Sequence, residues 1–154
     1  MEINDILNSA SVLADVKINS KKQLLQELAS AGAGLTNIDS HRIFETLLDR
    51  EQLGSTGVGN GVAIPHGKIA GMDKIVGVFA QLAKPVSFDA VDDQPVDIVF
   101  MLLAPEGSGA DHLKALSRIA RVLRNQSLLN SIRSAHDADA IYSLLTSVSN
   151  EVAA

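Results

Sequence analysis

The run Asp97-Ile98-Val99-Phe100-Met101-Leu102-Leu103-Ala104 is apolar at every position after its aspartate, and Pro105 follows it. An uninterrupted apolar run of this length is typical of a central strand that is buried on both faces. On either side of it, the chain alternates between extended and helical patterns. Such alternation predicts an α/β protein in which helices pack against a sheet, with this run at the centre of the sheet.

Extended segments are also predicted at residues 12–18, 62–64 and 75–82, where short apolar runs are bounded by polar or glycine-rich sequence. Residues 85–95 contain Asp92-Asp93-Gln94-Pro95 and are predicted to form a turn-rich connection. No repeat, low-complexity tract or linker divides the chain. We therefore expect a single domain over residues 1–154.

Five helices are predicted from capping residues and apolar periodicity. Ser20 and Gln23 form a capping box at the start of the first, which Gly32 or Gly34 ends. The second begins within residues 37–40 and stops at Gly54. The third begins near residues 108–111, the fourth covers 127–134, and Asp137 caps the last. The third is expected to bury Leu113, Leu116, Ile119, Ala120 and Leu123 and to turn Arg118, Arg121 and Arg124 toward water.

Composition narrows the classes of function. The chain has no cysteine, which excludes disulfides, thiolate metal sites and cysteine nucleophiles. The net charge is −5, and no basic stripe is interleaved with aromatic residues, so nucleic-acid binding is not expected. An acidic protein of this kind is expected to bind a basic protein surface. The sequence shows no signal peptide and no apolar run long enough to span a bilayer. A cytoplasmic protein without membrane insertion is expected.

A histidine in an unusual setting marks the candidate site. Pro65-His66-Gly67 follows the short apolar run 62–64, and several glycines precede that run. Histidine can act as an uncharged nucleophile near neutral pH because its ordinary pKa lies close to 7. A strand that ends by presenting His66 beside flexible backbone predicts a nucleophile at the edge of a sheet.

Arg50, His112 and His66 together suit phosphoryl transfer. One of the two ring nitrogens of His66 would attack phosphorus, and the sequence does not distinguish between them. Arg50 would offer a permanent positive charge to the phosphoryl oxygens. His112 lies in the first turn of a predicted helix, where a neutral ring could donate one hydrogen bond. Gly59 and Gly67 would let backbone amides approach phosphate closely. Each residue alone has a structural explanation, and their co-occurrence favours the site.

Other chemistries find no support in the sequence. Gly54-Ser55-Thr56-Gly57-Val58-Gly59 is followed by Asn60, whereas a Walker A loop needs Gly-Lys before a serine or threonine. Histidine pairs with metal-binding spacing are absent, and neither a metal nor a cofactor is expected. His41 and His136 are interpreted as structural or solvated residues.

Three consecutive segments carry a family resemblance: Leu48-Asp49-Arg50-Glu51, Gly54-Ser55-Thr56-Gly57 and Gly59-Asn60-Gly61-Val62-Ala63-Ile64-Pro65-His66-Gly67-Lys68. Together they resemble the active-site signature of the fructose/mannitol-type enzyme IIA domain of the bacterial phosphotransferase system. Residues 88–97 and 112–117 are also similar to this family. The sequence is most similar to the nitrogen-regulatory branch of this family. The resemblance implies a mixed sheet of about five strands with helices on both faces.

The resemblance also implies partners and roles. His66 would receive a phosphoryl group from a phosphohistidine on an HPr-like carrier, called NPr in this branch, with help from Arg50 and His112. Regulatory targets would include potassium transporters or sensor kinases. The alternative is a sugar-transport enzyme IIA that passes phosphate to a IIB component, and whether such a carrier counts as an enzyme is left open.

Overall fold

The central strand of the sheet has the burial that its sequence predicts. The computed structural model describes residues 2–153, with side-chain surroundings for residues 2–147. Strand β6 covers Val96–Pro105, and every side chain from Ile98 to Ala104 is buried. Ile98, Phe100 and Leu102 join one apolar cluster, while Val99, Met101 and Leu103 join a second on the opposite face. The strand therefore divides two cores.

Five further strands complete the sheet: β1 Val12–Val16, β2 Gly57–Gly59, β3 Val62–Ala63, β4 His66–Ile69 and β5 Val76–Val86. Strand β6 pairs antiparallel with β5 and parallel with both β3 and β4. Strand β1 runs parallel to β5 at one edge, and β2 runs antiparallel to β3 at the other. The sheet is mixed, as expected.

Strands β3 and β4 lie in one line along β6. Val62 is opposite Ile98 and His66 is opposite Leu102, so the register is the same in both strands. The line is interrupted at Ile64 and Pro65, because proline has no N–H to donate to a ladder. The sheet is therefore five positions wide, which agrees with the expectation of about five strands.

Helices cover both faces of the sheet. The described residues form α1 Ile3–Ile6, α2 Lys21–Thr36, α3 Ser40–Gln52, α4 Gly109–Val122, α5 Gln126–Ser134 and α6 Ala138–Ala153, with a 3₁₀ turn at Ser9–Ser11. Helices α2 and α3 bury their apolar faces in the cluster that contains Val99 and Met101. Helices α1, α4, α5 and α6 pack in the cluster that contains Phe100. No helix among residues 2–153 is both long and apolar enough to cross a membrane.

The two glycines predicted to end α2 lie inside it. The helix continues to Thr36 and ends at Asn37, which adopts the left-handed conformation with φ 61°. A Cβ at Gly32 would lie 3.2 Å from the side chain of Leu103. The glycine is therefore used where the helix approaches the sheet closely, and the helix is ended by an asparagine that tolerates positive φ.

The boundary between β5 and the following connection also differs from the prediction. The strand extends to Val86 and includes Pro85, which was assigned to the turn-rich segment. The pairing of β5 with β6 shifts in register between Gln81 and Val86, and Val86 is opposite Val96. Proline is tolerated in a strand beside such an irregularity, where a ladder N–H is not needed.

Helix α4 is rotated relative to the prediction. Leu113, expected in the core, is 65% exposed, whereas His112 is only 6% exposed. The buried face consists of His112, Ala115, Ile119 and Val122. Arg118, expected to face water, has a side chain only 13% exposed and forms an ion pair with Glu2 at 2.6 Å. Two overlapping apolar stripes exist in this sequence, and packing against the sheet selects the one that includes His112.

Candidate functional site

His66 lies directly after the interruption between β3 and β4. The N–H of Ile64 donates to the carbonyl of Thr56 at 3.0 Å, and the carbonyl of Pro65 accepts from the N–H of Leu102 at 2.9 Å. His66 is the first residue of β4, so it does not stand at the end of a strand as predicted. The hydrogen bonds of Ile64 and Pro65 fix the backbone at this strand break, and the imidazole of His66 beside it is half-buried.

The ring of His66 is oriented by the backbone. Nδ1 lies 2.8 Å from the carbonyl oxygen of Ile64. A carbonyl oxygen only accepts hydrogen bonds, so Nδ1 carries the proton. In a neutral imidazole the other nitrogen, Nε2, then holds the free lone pair.

The surroundings of His66 favour the neutral ring. Burial lowers the pKa of His66, the hydrogen bond to Ile64 raises it, the positive charge of Arg50 lowers it and the negative charge of Glu51 raises it. The net effect places the pKa below the ordinary value of 6.5. The ring is therefore uncharged near pH 7, which is the state that a nucleophilic imidazole requires.

His112 faces His66 across the site. The two ring centroids are 5.7 Å apart, with an angle of 59° between the ring planes. Burial lowers the pKa of His112, and a positive charge on His66, when that ring is protonated, and on Lys68 acts in the same direction. Its Nδ1 is buried and has no hydrogen-bond partner within the described part of the chain. Nε2 is the nitrogen that remains to bind a ligand.

Arg50 lies in the last turn of α3. Its Nη1 donates to the carbonyl of Gly54 at 2.8 Å, which holds the side chain against the loop that leads to β2. Its charge acts on His66 by lowering the pKa of the ring. The structure thus brings together the three residues that the sequence singled out for chemistry.

The two glycines predicted to bind phosphate are placed differently. Gly67 follows His66 in β4, and a Cβ there would lie 2.5 Å from Cγ2 of Thr46 in α3. Its small size is required for packing of helix against strand. Gly59 is the last residue of β2, where the hairpin to β3 begins, and a Cβ there would lie 3.4 Å from Oδ2 of Asp92.

The structure does not bring Gly59 to His66. Gly59 is opposite Val62, and His66 is four residues further along the same line, about 13 Å away at 3.3 Å per residue. The carboxylate of Asp92 also accepts from the N–H of Asn60 at 3.1 Å, so negative charge already occupies the turn. An anion is not favoured there.

Glu51 is the site residue that sequence reasoning missed. It is 7% exposed, although it follows Arg50 in a helix whose last turn is at the surface. A signal exists in the sequence, because Ile43, Leu47 and Glu51 are spaced four residues apart and share the buried face of α3. A carboxylate at a core position requires partners, and Glu51 has them.

The remaining histidines lie outside this arrangement. His41, in the first turn of α3, forms an exposed pair with Glu45 at 3.0 Å, and His136 pairs with Asp15 at 3.0 Å. Within residues 2–147, no group of three or more histidine or acidic side chains could hold a metal ion.

Known proteins share this fold and sequence. The Bradyrhizobium diazoefficiens "Nitrogen regulatory protein" is 56% identical over 145 residues, which are 94% of this chain and 95% of that protein. The crystal structure of nitrogen regulatory protein IIA-Ntr from Neisseria meningitidis matches with a TM-score of 0.89 and 38% identity, over 94% of this chain and 99% of that chain. These relatives support a regulatory phosphocarrier role.

A more distant structure shares the fold alone. It is a complex of enzyme IIAMtl and phosphorylated enzyme IIBMtl from Escherichia coli, at a TM-score of 0.77 and 19% identity, covering 92% of this chain and 97% of that chain.

The model of the family described as "Phosphoenolpyruvate-dependent sugar phosphotransferase system, EIIA 2" matches residues 5–148. This chain therefore belongs to the EIIA 2 family of the phosphotransferase system.

Proposed function

We propose that Nε2 of His66 accepts a phosphoryl group from a phosphohistidine on an HPr-like carrier of the NPr type, and that the phosphorylation state of the chain governs its binding to regulatory targets. The observation that carries the proposal is the hydrogen bond of 2.8 Å between Nδ1 of His66 and the carbonyl of Ile64. It leaves Nε2 as the free nucleophile of a neutral ring, and that ring faces His112 and is influenced by Arg50.

The transfer step moves one phosphoryl group between two imidazoles. The lone pair of Nε2 forms a bond to phosphorus, and the bond from phosphorus to the donor nitrogen breaks with its electron pair returning to the donor ring. Positive charge develops on the ring of His66, and the carbonyl of Ile64 and the carboxylate of Glu51 both favour that charge.

The transferred group itself needs electrostatic support. Charge on its equatorial oxygens is stabilised by positioned donors and cations, which supply most of the catalysis in phosphoryl transfer. The guanidinium of Arg50 supplies a permanent cation, and a neutral His112 with its proton on Nε2 supplies a hydrogen bond. Gly67, which follows His66 in β4, would let its backbone amide approach the phosphoryl group, and its lack of a Cβ also permits close packing against Thr46.

Phosphorylation would change the surface that partners meet. A phosphoryl group adds a charge of about −1.5 to −2 near neutral pH. Leu113, one residue after His112, is 65% exposed, and Leu53, three residues after Arg50, is 86% exposed. Exposed apolar side chains that are close in sequence to residues of the site suit a cytoplasmic regulator whose partners distinguish its two phosphorylation states, and potassium transporters or sensor kinases are the proposed partners.

The phosphorylation site is tested by incubation with phosphoenolpyruvate, the first enzyme of the phosphotransferase system and an HPr-like carrier. Wild-type protein and the His41→Ala control are expected to acquire an acid-labile, alkali-stable phosphate, and His66→Ala is expected to acquire none. Phosphate that persists in His66→Ala would refute the assignment.

The regulatory output is tested by comparing partner capture by unphosphorylated protein and by protein phosphorylated at His66. Different sets or amounts of captured protein are expected. Equal binding in both states would exclude a switch.

A second candidate is sugar delivery, in which the phosphoryl group passes onward to a IIB component. The sugar phosphotransferase description of the matching family favours it. Transfer from the phosphorylated chain to purified IIB, at a rate able to support uptake, would establish this function in place of the regulatory one.

A further inference from the structure

An ion pair with a buried carboxylate joins Glu51, the residue after Arg50, to α2. The side chain of Glu51 is 3% exposed, and its Oε2 lies 2.9 Å from Nζ of Lys21 in α2. Both carboxylate oxygens also accept from the N–H of Thr56, at 3.1 and 3.3 Å, and the hydroxyl of Thr56 donates to Oε1. A buried carboxylate is destabilising unless it is paired and hydrogen-bonded, and here Glu51 is paired with Lys21 of α2 and hydrogen-bonded to Thr56, the residue before β2.

Hydrogen bonds continue from this carboxylate to the imidazole. Thr56, held by Glu51, accepts from the N–H of Ile64 through its carbonyl at 3.0 Å. Ile64 in turn accepts from Nδ1 of His66 at 2.8 Å. Three successive contacts therefore connect Glu51 to the ring, and they pass through the strand interruption that leaves the Ile64 carbonyl free to bind a side chain.

The lysine end of the pair is anchored as well. Nζ of Lys21 lies 3.3 Å from the carbonyl of Phe88 and 4.4 Å from the centroid of the Phe88 ring. The hydroxyl of Ser55 donates to the same carbonyl at 2.8 Å. Ser55 and Lys21 therefore meet at the Phe88 carbonyl after β5, while Thr56 is bound to Glu51, so both ends of the ion pair are attached to the backbone around residues 55 and 56.

We propose that Glu51, held by Lys21 and Thr56, is a positioning residue that fixes the ring of His66 with its proton on Nδ1 and its nucleophilic lone pair on Nε2. The inference rests on the function proposed above. Glu51 does not touch the reacting atoms. It acts through Thr56 and Ile64, and its negative charge also favours the positive charge that forms on the ring during transfer.

The test uses the tautomer of His66 in unphosphorylated protein, read from the 15N chemical shifts of the ring, alongside single-turnover phosphorylation by the carrier. Glu51→Gln is expected to give a mixture of tautomers and to slow the chemical step about tenfold, with the apparent affinity for the carrier unchanged. Glu45→Gln is the matched control, since Glu45 lies in the same helix with a side chain 62% exposed, and wild-type behaviour is expected. A folded Glu51→Gln protein with the wild-type tautomer and rate would overturn the proposal.

A second pair of variants keeps the inference testable if Glu51→Gln does not fold. Thr56→Val removes the hydroxyl that donates to Glu51 and keeps the backbone contacts, whereas Thr56→Ser retains the hydroxyl. The valine variant is expected to shift the tautomer and slow transfer, and the serine variant to restore both. Identical behaviour of the two would contradict the proposed role.

The two readouts separate this inference from the proposed function. The tautomer of His66 is measured in the absence of any phosphoryl donor. Absence of phosphorylation at His66 in wild-type protein would refute the function, whereas loss of the tautomer preference in Glu51→Gln would still show control of the ring by Glu51. Phosphorylation of wild-type protein with no effect of Glu51→Gln on either readout would refute only the positioning role.

Discussion

The variant Gly67→Ala tests whether α3 sets the position of the strand that carries His66. A Cβ at residue 67 would lie 2.5 Å from Cγ2 of Thr46. Carbon atoms in contact prefer about 3.5–4.0 Å, so strand and helix must separate by about 1 Å or the threonine must move. Overpacking of this kind typically costs about 1–3 kcal/mol of unfolding free energy. For a domain of this size that corresponds to a decrease in Tm of about 2–12 °C.

Among the described residues, Cγ2 of Thr46 is the only atom of another element within 3 Å of the added Cβ, which permits a rescue experiment. Thr46→Ser removes Cγ2 and retains the hydroxyl, which donates to the carbonyl of Arg42 at 2.9 Å. Gly67→Ala in the Thr46→Ser background is expected to cost less than about 0.5 kcal/mol by urea denaturation, which is the precision of additive effects. Gly34→Ala is the control, because in the part of the chain that the structure describes no atom beyond its chain neighbours and the local helix backbone lies within 4 Å of the added Cβ. An equal cost of Gly67→Ala in both backgrounds would refute the packing argument.

Three further predictions follow from the site and the core. Burial lowers the pKa of His66 below 6.5, so the phosphorylation rate should remain constant as pH falls through 6.5, and a rate that halves at pH 6.5 would contradict this. The folded state binds fewer protons than the unfolded state in this range, so the protein should lose stability as pH falls below 6.5. Arg50→Ala should slow transfer at least about tenfold with little change in Tm, because Arg50 acts on the transition state and its hydrogen bond to Gly54 is exposed; unchanged single-turnover kinetics would show that it takes no part. Gln81→Leu should cost about 1–3 kcal/mol in urea denaturation, because the buried amide donates to the carbonyl of Ile132 at 2.7 Å; a smaller cost than that of exposed Gln94→Leu would exclude this role.

Helix α4 shows how far a local pattern can predict structure. The apolar period correctly predicts a helix after Ser108, but Leu113, which the pattern places in the core, is exposed, and His112 is buried beside it. Hydrophobicity favours leucine inside. Contact with the ring of His66 and packing of Ala115 and Ile119 against the sheet favour the rotation that buries the histidine.

The glycine segment shows a second limit. From the sequence, both Gly59 and Gly67 are expected to let backbone amides approach a phosphate at His66, because neither residue has a Cβ. The hairpin between β2 and β3 turns Gly59 away toward Asp92, while β4 keeps Gly67 beside His66 and under Thr46. Proximity along the chain does not predict proximity in space where the backbone reverses direction.

The amino-acid sequence by itself determined the doubly buried central strand, the five helices longer than α1 with the N-caps Ser20 and Asp137, and the identity of His66 as the candidate nucleophile. These follow from periodicity, capping and turn chemistry, which act over a few neighbouring residues. Only the tertiary structure decided that His112 meets His66, that Glu51 is buried against Lys21, and that β3 and β4 form one interrupted line. Those contacts join residues far apart in the chain, and they form because pairing along β6 and burial of two apolar faces must be satisfied at the same time.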